Sequence, residues 1–200
     1  MIQPDFELAK QYVLGRLERE LSPHLYYHSV RHTWDDVLPA AERLAALEGV
    51  DGEAMLLLRT AALYHDLGYI EQYVDNEAIA VRIAAETLPR FGYAPAQVQV
   101  IADIILATKV PPSPRTLLEE IIVDADLDVL GREDFLPQSH ALRDELAAQG
   151  SPTTEEEWYA RQITFLQTHH YFTAAARRLR SVQKQRNLEV LFDRLAQSQT

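Results

Sequence analysis

A histidine and an aspartate stand side by side at the end of the most apolar stretch of the chain. His65 and Asp66 directly follow a run from Ala54 to Tyr64 in which apolar residues occupy nearly every position. Burying a charged carboxylate is costly unless the group is paired. A neighbouring imidazole together with a metal cation is one way to pair it, so both residues are candidate metal ligands. The alternative is a buried His–Asp pair that only stabilises a helix end.

Two further segments place metal-binding side chains at helical positions. His28 and His32 stand four residues apart and can therefore share one helix face. Asp124, Asp126 and Asp128 occupy alternate positions of a second apolar helix. They cannot all face the same way, and one or two of them must face the core. We expect Asp128 to be a solvated or capping acid.

Together these segments supply two imidazoles and two carboxylates. The set comprises His32, His65, Asp66 and either Asp124 or Asp126. Such ligands suit a harder or borderline divalent ion such as Mn, Fe, Co, Ni or Zn. Two carboxylates cancel the charge of that ion, so a phosphate at the same place would need further positive groups. The candidates are Lys109, Arg31 and a protonated His28.

Helices must position these side chains. Apolar residues recur at helical spacing along almost the whole chain, and the alternating β-branched runs typical of strands are missing. The sequence therefore predicts an all-α protein, with the helix that ends near His65 in the middle of the molecule. Pro39 should kink or split the helix that begins near Ser29. The predicted helices span about 5–21, 29–47, 54–67, 75–91, 95–108, 115–130, 138–148, 154–168 and 172–195.

Composition limits the class of protein. The chain has 200 residues, no cysteine and a formal charge of −11. This length suits one domain spanning 1–200, although the break at 149–152 is also compatible with a subdomain boundary. The charge disfavours duplex nucleic acid and anionic membranes as partners, and the missing thiols exclude disulfides and thiolate metal sites. Without a long apolar stretch or a basic leader, the expected location is the cytoplasm.

The order of these motifs resembles the HD superfamily of metal-dependent phosphohydrolases, which is named after the adjacent His–Asp pair. Residues 27–33, Tyr-His-Ser-Val-Arg-His-Thr, resemble the Tyr-His-Asn-x-x-His motif of cyclic-nucleotide phosphodiesterases and of a group of small bacterial predicted HD phosphohydrolases. The bacterial group is also similar at 75–77, 104–109 and 124–131. The detailed resemblance covers about 26–131, and the C-terminal helices at 137–197 match loosely.

The resemblance implies an HD-domain-like helical bundle that binds one divalent ion (Mn, Fe, Co, Ni, Zn or Mg). By the same resemblance the metal ligands are His32, His65, Asp66 and Asp126. The implied reaction is hydrolysis of a phosphate monoester or diester, for example of a nucleotide, by attack of a metal-bound water. A small phosphorylated molecule is then the expected substrate.

The remaining roles also follow from the resemblance. His28 corresponds to the proton donor to the leaving oxygen. Lys109 or Arg31 would neutralise developing charge, and Glu77 or Asp124 would orient the water or a ligand histidine. These residues complete the predicted site.

Two departures from the family pattern limit the expectations. Val110-Pro111 follows the predicted helix end where relatives often have histidines, which favours a mononuclear site. No Glu-Asp pair follows His65-Asp66 as in guanosine-tetraphosphate hydrolases, so that substrate is disfavoured.

Two other functions stay open: a catalytically idle HD module that senses a small anion or docks to a partner, and a structural protein whose His and Asp merely pair. The sequence does not predict the oligomeric state.

Overall fold

The computed structural model describes residues 3–198, and every regular element in that range is helical. The nine α-helices of this range are α1 (Phe6–Glu20), α2 (Leu38–Leu47), α3 (Gly52–Tyr64), α4 (Asn76–Thr87), α5 (Pro95–Ala107), α6 (Leu117–Asp126), α7 (Phe135–Ala148), α8 (Glu155–Thr168) and α9 (Ala174–Ser198). A π-helical turn spans His32–Val37, and short 3-10 turns span Leu67–Ile70, Leu88–Phe91 and Asp128–Gly131. The predicted all-α class is confirmed. Among the helices of 3–198, none has the length and apolar character needed to cross a membrane.

Helix α3 lies at the centre of the larger of two hydrophobic clusters. Its residues Leu58, Ala61, Leu63 and Tyr64 are fully buried. Helices α1, α2, α5 and α6 all pack against it. A helix that is apolar on every side is stable only when other elements surround it. The predicted central position is therefore confirmed, and the end of α3 delivers His65 into the interior.

The three C-terminal helices build the second cluster. Its buried members include Phe135 of α7, Trp158 and Ile163 of α8, and Leu191 of α9. The break at 149–152 joins α7 to α8 inside this cluster. Leu127 packs against both clusters, so the turn that follows α6 connects them.

The acid Asp128, expected to be solvated or capping, is instead buried, and the expectation was wrong. Its carboxylate accepts a hydrogen bond from Arg180 Nε at 2.7 Å and one from Arg43 Nη2 at 3.1 Å. A buried carboxylate is tolerated when cations and hydrogen bonds satisfy it in this way. Because Arg180 belongs to α9, this pair attaches the last helix to the turn after α6.

A widened turn accommodates Pro39. The N–H of Leu38 bonds to the carbonyl of Thr33, one residue further back than in an α-helix. Proline lacks an N–H and its ring clashes with the turn before it, so the predicted irregularity occurs here as a π-helical turn. The extra residue in the turn allows His32 and Val37 both to be buried.

Gly68 permits a close approach of two backbone segments directly after the His–Asp pair. A Cβ built on Gly68 would lie 1.9 Å from the carbonyl oxygen of Asn76, the first residue of α4. The turn at Leu67–Ile70 can pack against the start of α4 only because residue 68 has no side chain. This contact fixes the direction of the chain after Asp66.

Replacing Gly68 by alanine should destabilise the fold by roughly 2–4 kcal/mol, because the backbone must move to admit the methyl group. Gly15→Ala is the matched control, since a Cβ there meets only the flexible end of Arg19, at 3.0 Å. In helix α1 alanine should even stabilise, by about 1 kcal/mol. Urea denaturation compares the two variants, and equal stabilities would contradict the packing role of Gly68.

Candidate metal centre

Two helix ends and the π-helical turn bring four ligand-type side chains together. His32 begins the widened turn, His65 and Asp66 follow α3, and Asp126 is the last residue of α6. One ligand atom from each of His32, His65 and Asp66 lies within 4.8 Å of the other two. Asp126 Oδ1 lies 3.0 Å from His32 Nε2 and 3.6 Å from His65 Nε2. The four side chains that the family resemblance implies as metal ligands therefore lie close together in the structure.

The spacing of these atoms fits a shared ion. The nitrogen-to-oxygen separations are 3.0, 3.2, 3.5 and 3.6 Å. Atoms bonded to one ion at about 2.1 Å are separated by roughly 3.0–3.4 Å at octahedral or tetrahedral angles. In addition, His65 Nε2 and Asp66 Oδ2 are buried without a hydrogen-bond partner. Buried polar atoms normally have a hydrogen-bond partner. Both the spacing of the ligand atoms and the missing hydrogen bonds therefore fit a divalent metal at this place.

A backbone carbonyl orients the ring of His65. Its Nδ1–H donates a hydrogen bond to Ala62 O at 2.8 Å, which turns Nε2 towards the carboxylates. Burial alone would lower the pKa of His65, but Asp66 and Asp126 raise this pKa well above its ordinary value. In the metal-free chain the ring therefore holds a proton that a metal ion would replace.

The two carboxylates of the cluster remain charged. Burial alone would raise the pKa of each, but the neighbouring imidazoles more than offset this effect. His65 lowers the pKa of Asp66, and the hydrogen bond from His32 together with the neighbouring His65 imidazole lowers that of Asp126. Both carboxylates are therefore in the form that binds a cation.

Asp124 points away from this cluster. It is fully buried, and its carboxylate accepts hydrogen bonds from the N–H of Phe172 at 2.9 Å and from the N–H and hydroxyl of Thr173, both at 2.8 Å. Side chains two residues apart on a helix point in nearly opposite directions. Asp126 therefore faces the histidines. Asp124 instead connects α6, through its hydrogen bonds, to the segment before α9.

A carboxylate that the sequence analysis did not single out holds His28. Glu145 of α7 is fully buried and forms an ion pair with His28 Nδ1. It also accepts hydrogen bonds from the N–H groups of Tyr27 and His28, at 2.9 and 3.0 Å, and from the hydroxyl of Tyr73 at 3.0 Å. Four donors thus converge on this one acid.

The surroundings of His28 favour its protonated form beside the ligand cluster. Burial alone would lower the pKa of His28, but the hydrogen bond to Glu145 and the charges of Asp66 and Asp126 raise it. The rings of His28 and His32 have centroids 5.8 Å apart. Tyr69 stacks on His28 at 4.4 Å, and its hydroxyl lies 3.2 Å from His28 Nε2.

The other predicted site residues lie in different surroundings. Lys109, just after α5, forms an ion pair with Asp75, which precedes α4. Glu77 is half-buried in the first turn of α4. Within 3–198, no hydrogen bond or ion pair joins Lys109 or Glu77 to the four ligand-type side chains. The Arg31 side chain is 61% exposed, and the roles expected for all three residues stay predictions.

The fold and the site together define an all-α bundle with a buried His and Asp centre. The family model for the HD domain matches residues 26–128, which is more than half of the 200-residue chain. The chain therefore belongs to the HD-domain family. HD domains bind divalent metals, and the His32, His65 and Asp66 group is able to hold one.

A solved structure supports the same fold. It is the crystal structure of a predicted HD superfamily hydrolase from an uncultured Thermotogales bacterium, with a TM-score of 0.64 and 21% sequence identity. The match covers 97% of this chain and 93% of that chain. At this identity the likeness shows the fold alone. Among curated proteins, no match was found.

The contrast between Asp126 and Asp124 can be tested directly. Asp126→Ala should weaken Mn binding by more than about 100-fold, the upper cost of losing an outer-shell partner. Asp124→Ala should retain the metal but lose roughly 2–4 kcal/mol of stability, because buried donors lose their acceptor. Equilibrium dialysis with elemental analysis measures the first effect and urea denaturation the second. The reverse pattern would contradict this assignment.

Proposed function

We propose that the chain is a metal-dependent phosphohydrolase that cleaves a phosphate monoester or diester, for example of a nucleotide. The observation that carries the proposal is the convergence of His32, His65, Asp66 and Asp126 within an HD domain. A bound divalent ion (Mn, Fe, Co, Ni, Zn or Mg) would lower the pKa of a coordinated water and polarise a phosphoryl oxygen. The chain's own residues would bind the ester and supply a proton.

Positive charge for a phosphate must come from outside the ligand set. Two carboxylates and a divalent ion are together neutral, and the whole chain carries a formal charge of −11. A protonated His28 would add one positive charge beside the cluster, and the hydrogen bond to Glu145 favours that form because it raises the pKa of His28. Arg31 is next to the ligand His32 in the chain; its exposed guanidinium lies 3.9 Å from the Asp134 carboxylate and would have to leave this loose ion pair to contact an ester.

His28 is also the group placed to give a proton to the leaving oxygen. Its Nδ1 is engaged by Glu145, so the proton available for transfer is the one on Nε2. The Tyr69 hydroxyl lies 3.2 Å from that nitrogen, at the place where a leaving oxygen would have to accept the proton. General-acid catalysis of this kind contributes roughly 10²–10⁴-fold to a rate. Glu145 would act through His28 as a positioning residue.

A second candidate function is a metal-binding HD module that does not turn over a substrate and instead senses a small anion or docks to a partner. One observation favours it. Tyr69 stacks on His28 and covers the nitrogen that would donate the proton. A hydrolase with this structure must therefore move Tyr69 when an ester binds.

Assays of a phosphomonoester and a phosphodiester with Mn, Co, Ni and Mg in turn separate the two functions. We expect turnover with at least one ion, and Asp66→Ala should abolish both turnover and metal binding. His28→Ala should bind metal normally but lower kcat by roughly 10²–10⁴-fold. His24→Ala is the matched control, because His24 is an exposed histidine of the same segment. A chain that binds metal but shows no turnover with any ion would support the second function.

The role of Glu145 predicts a change in pH dependence. Glu145→Gln removes the charge that raises the pKa of His28, so His28 should lose its proton at a lower pH. The limb of the kcat profile that falls with rising pH should therefore move to lower pH, whereas KM changes less. Asp144→Asn, the same type of change at the exposed neighbouring position of α7, should leave the profile in place. A lowered kcat with an unmoved profile would contradict the electrostatic role.

A further inference from the structure

A basic groove lies away from the metal centre, where the end of α8 meets the first half of α9. This α8–α9 groove has a volume of about 530 Å³, within the range of small-molecule sites. Its lining includes Leu166, His169, Tyr171, Arg177, Lys184 and Leu188. No Asp or Glu of residues 3–198 lines it, although the chain has 30 acids against 19 basic residues. The local charge is therefore opposite to that of the whole protein.

Neither cation of the groove has an acidic partner. Lys184 is half-buried, and its Nζ donates a hydrogen bond to the carbonyl of His169. Burial lowers the pKa of Lys184. Arg177 uses Nη1 to donate to the carbonyls of Tyr171 and Phe172. Within 3–198 no carboxylate forms an ion pair with Lys184 or Arg177, whereas Arg180 on the same helix pairs with Asp128.

His169 supplies an unsatisfied polar group at the same place. Both of its ring nitrogens are buried, and neither has a hydrogen-bond partner in the described part of the chain. Burial and the nearby charge of Lys184 lower the pKa of His169 to about 3, so the ring is neutral. Because both nitrogens are buried, the ring forms part of the groove wall without offering a polar atom at its surface.

We propose that the α8–α9 groove binds a small phosphate-bearing molecule, with Arg177 and Lys184 as its polar contacts. Two cations without acidic partners favour a dianion, because hydrogen bonds from charged donors to phosphate oxygens are the strong ones. The side chains of Leu166, Tyr171 and Leu188 give the groove apolar walls, which suit an organic group attached to the phosphate. The groove shares no residue with the metal ligands, so the proposal goes beyond the hydrolase function and does not depend on it.

Calorimetric titration of the full chain with pyrophosphate and with ADP, without added metal, tests the site. We expect saturable binding of both, with ADP binding more tightly because of the apolar walls. Ser181→Glu places a carboxylate in the groove at an exposed position, and should weaken binding by at least about tenfold. Arg177→Gln should do the same. Arg178→Gln, an exposed neighbour that does not line the groove, should bind as the parent does.

Controls separate this site from the metal centre and from a lipid surface. Asp66→Ala should bind pyrophosphate like the parent, and loss of binding in this variant would place the anion at the metal centre and overturn the proposal. Unchanged binding by Ser181→Glu, with an unchanged melting temperature, would also overturn it. A second titration uses vesicles that contain phosphatidate. The formal charge of −11 on the protein predicts that the protein does not bind them. Binding of vesicles without binding of pyrophosphate or ADP would rule out a site for free small molecules.

Discussion

Two carboxylates with little access to solvent impose the constraint from which the rest of the site follows. Asp66 is buried and Asp126 half-buried beside the imidazoles, where uncompensated charge is costly. Compensation comes from protons on the rings or from a cation that the four side chains share. Either form requires the ends of α3 and α6 to stay close to each other. Gly68 on one side and the hydrogen bonds of Asp124 on the other restrict the two helix ends that carry these acids.

The C-terminal helices take part in this geometry, although the matched HD domain ends at residue 128. Glu145 lies beyond that limit and holds His28, which lies near its start. Thr173 lies further on and donates hydrogen bonds to Asp124, two residues before Asp126 in α6. The geometry around His28 and Asp124 therefore depends on residues that follow the matched region in the chain.

Local sequence patterns predicted the helices well, because the period of apolar residues is a local signal. The helix predicted at 95–108, for example, is found at Pro95–Ala107. The choice between Asp124 and Asp126 stayed open on the residues alone, since it depends on a loop 48 residues away. Glu145 gave only a weak signal, as an acid three residues after Leu142 on the inward face of α7, and its partner His28 is 117 residues distant. Asp128 was misjudged for the same reason, because Arg180 is 52 residues away.

Under the proposed function, the two histidines of the first segment would have opposite tasks. His32 faces the carboxylates and would act as a ligand only with an unprotonated nitrogen, whereas His28 would donate a proton only while it is charged. A cation bound at the centre would cancel the charges of Asp66 and Asp126, two of the groups that raise the pKa of His28. Glu145 would still raise this pKa, and its full burial protects that interaction from screening by solvent. In the proposed mechanism, the acid on α7 would therefore be the group that keeps a proton on His28 beside a divalent cation.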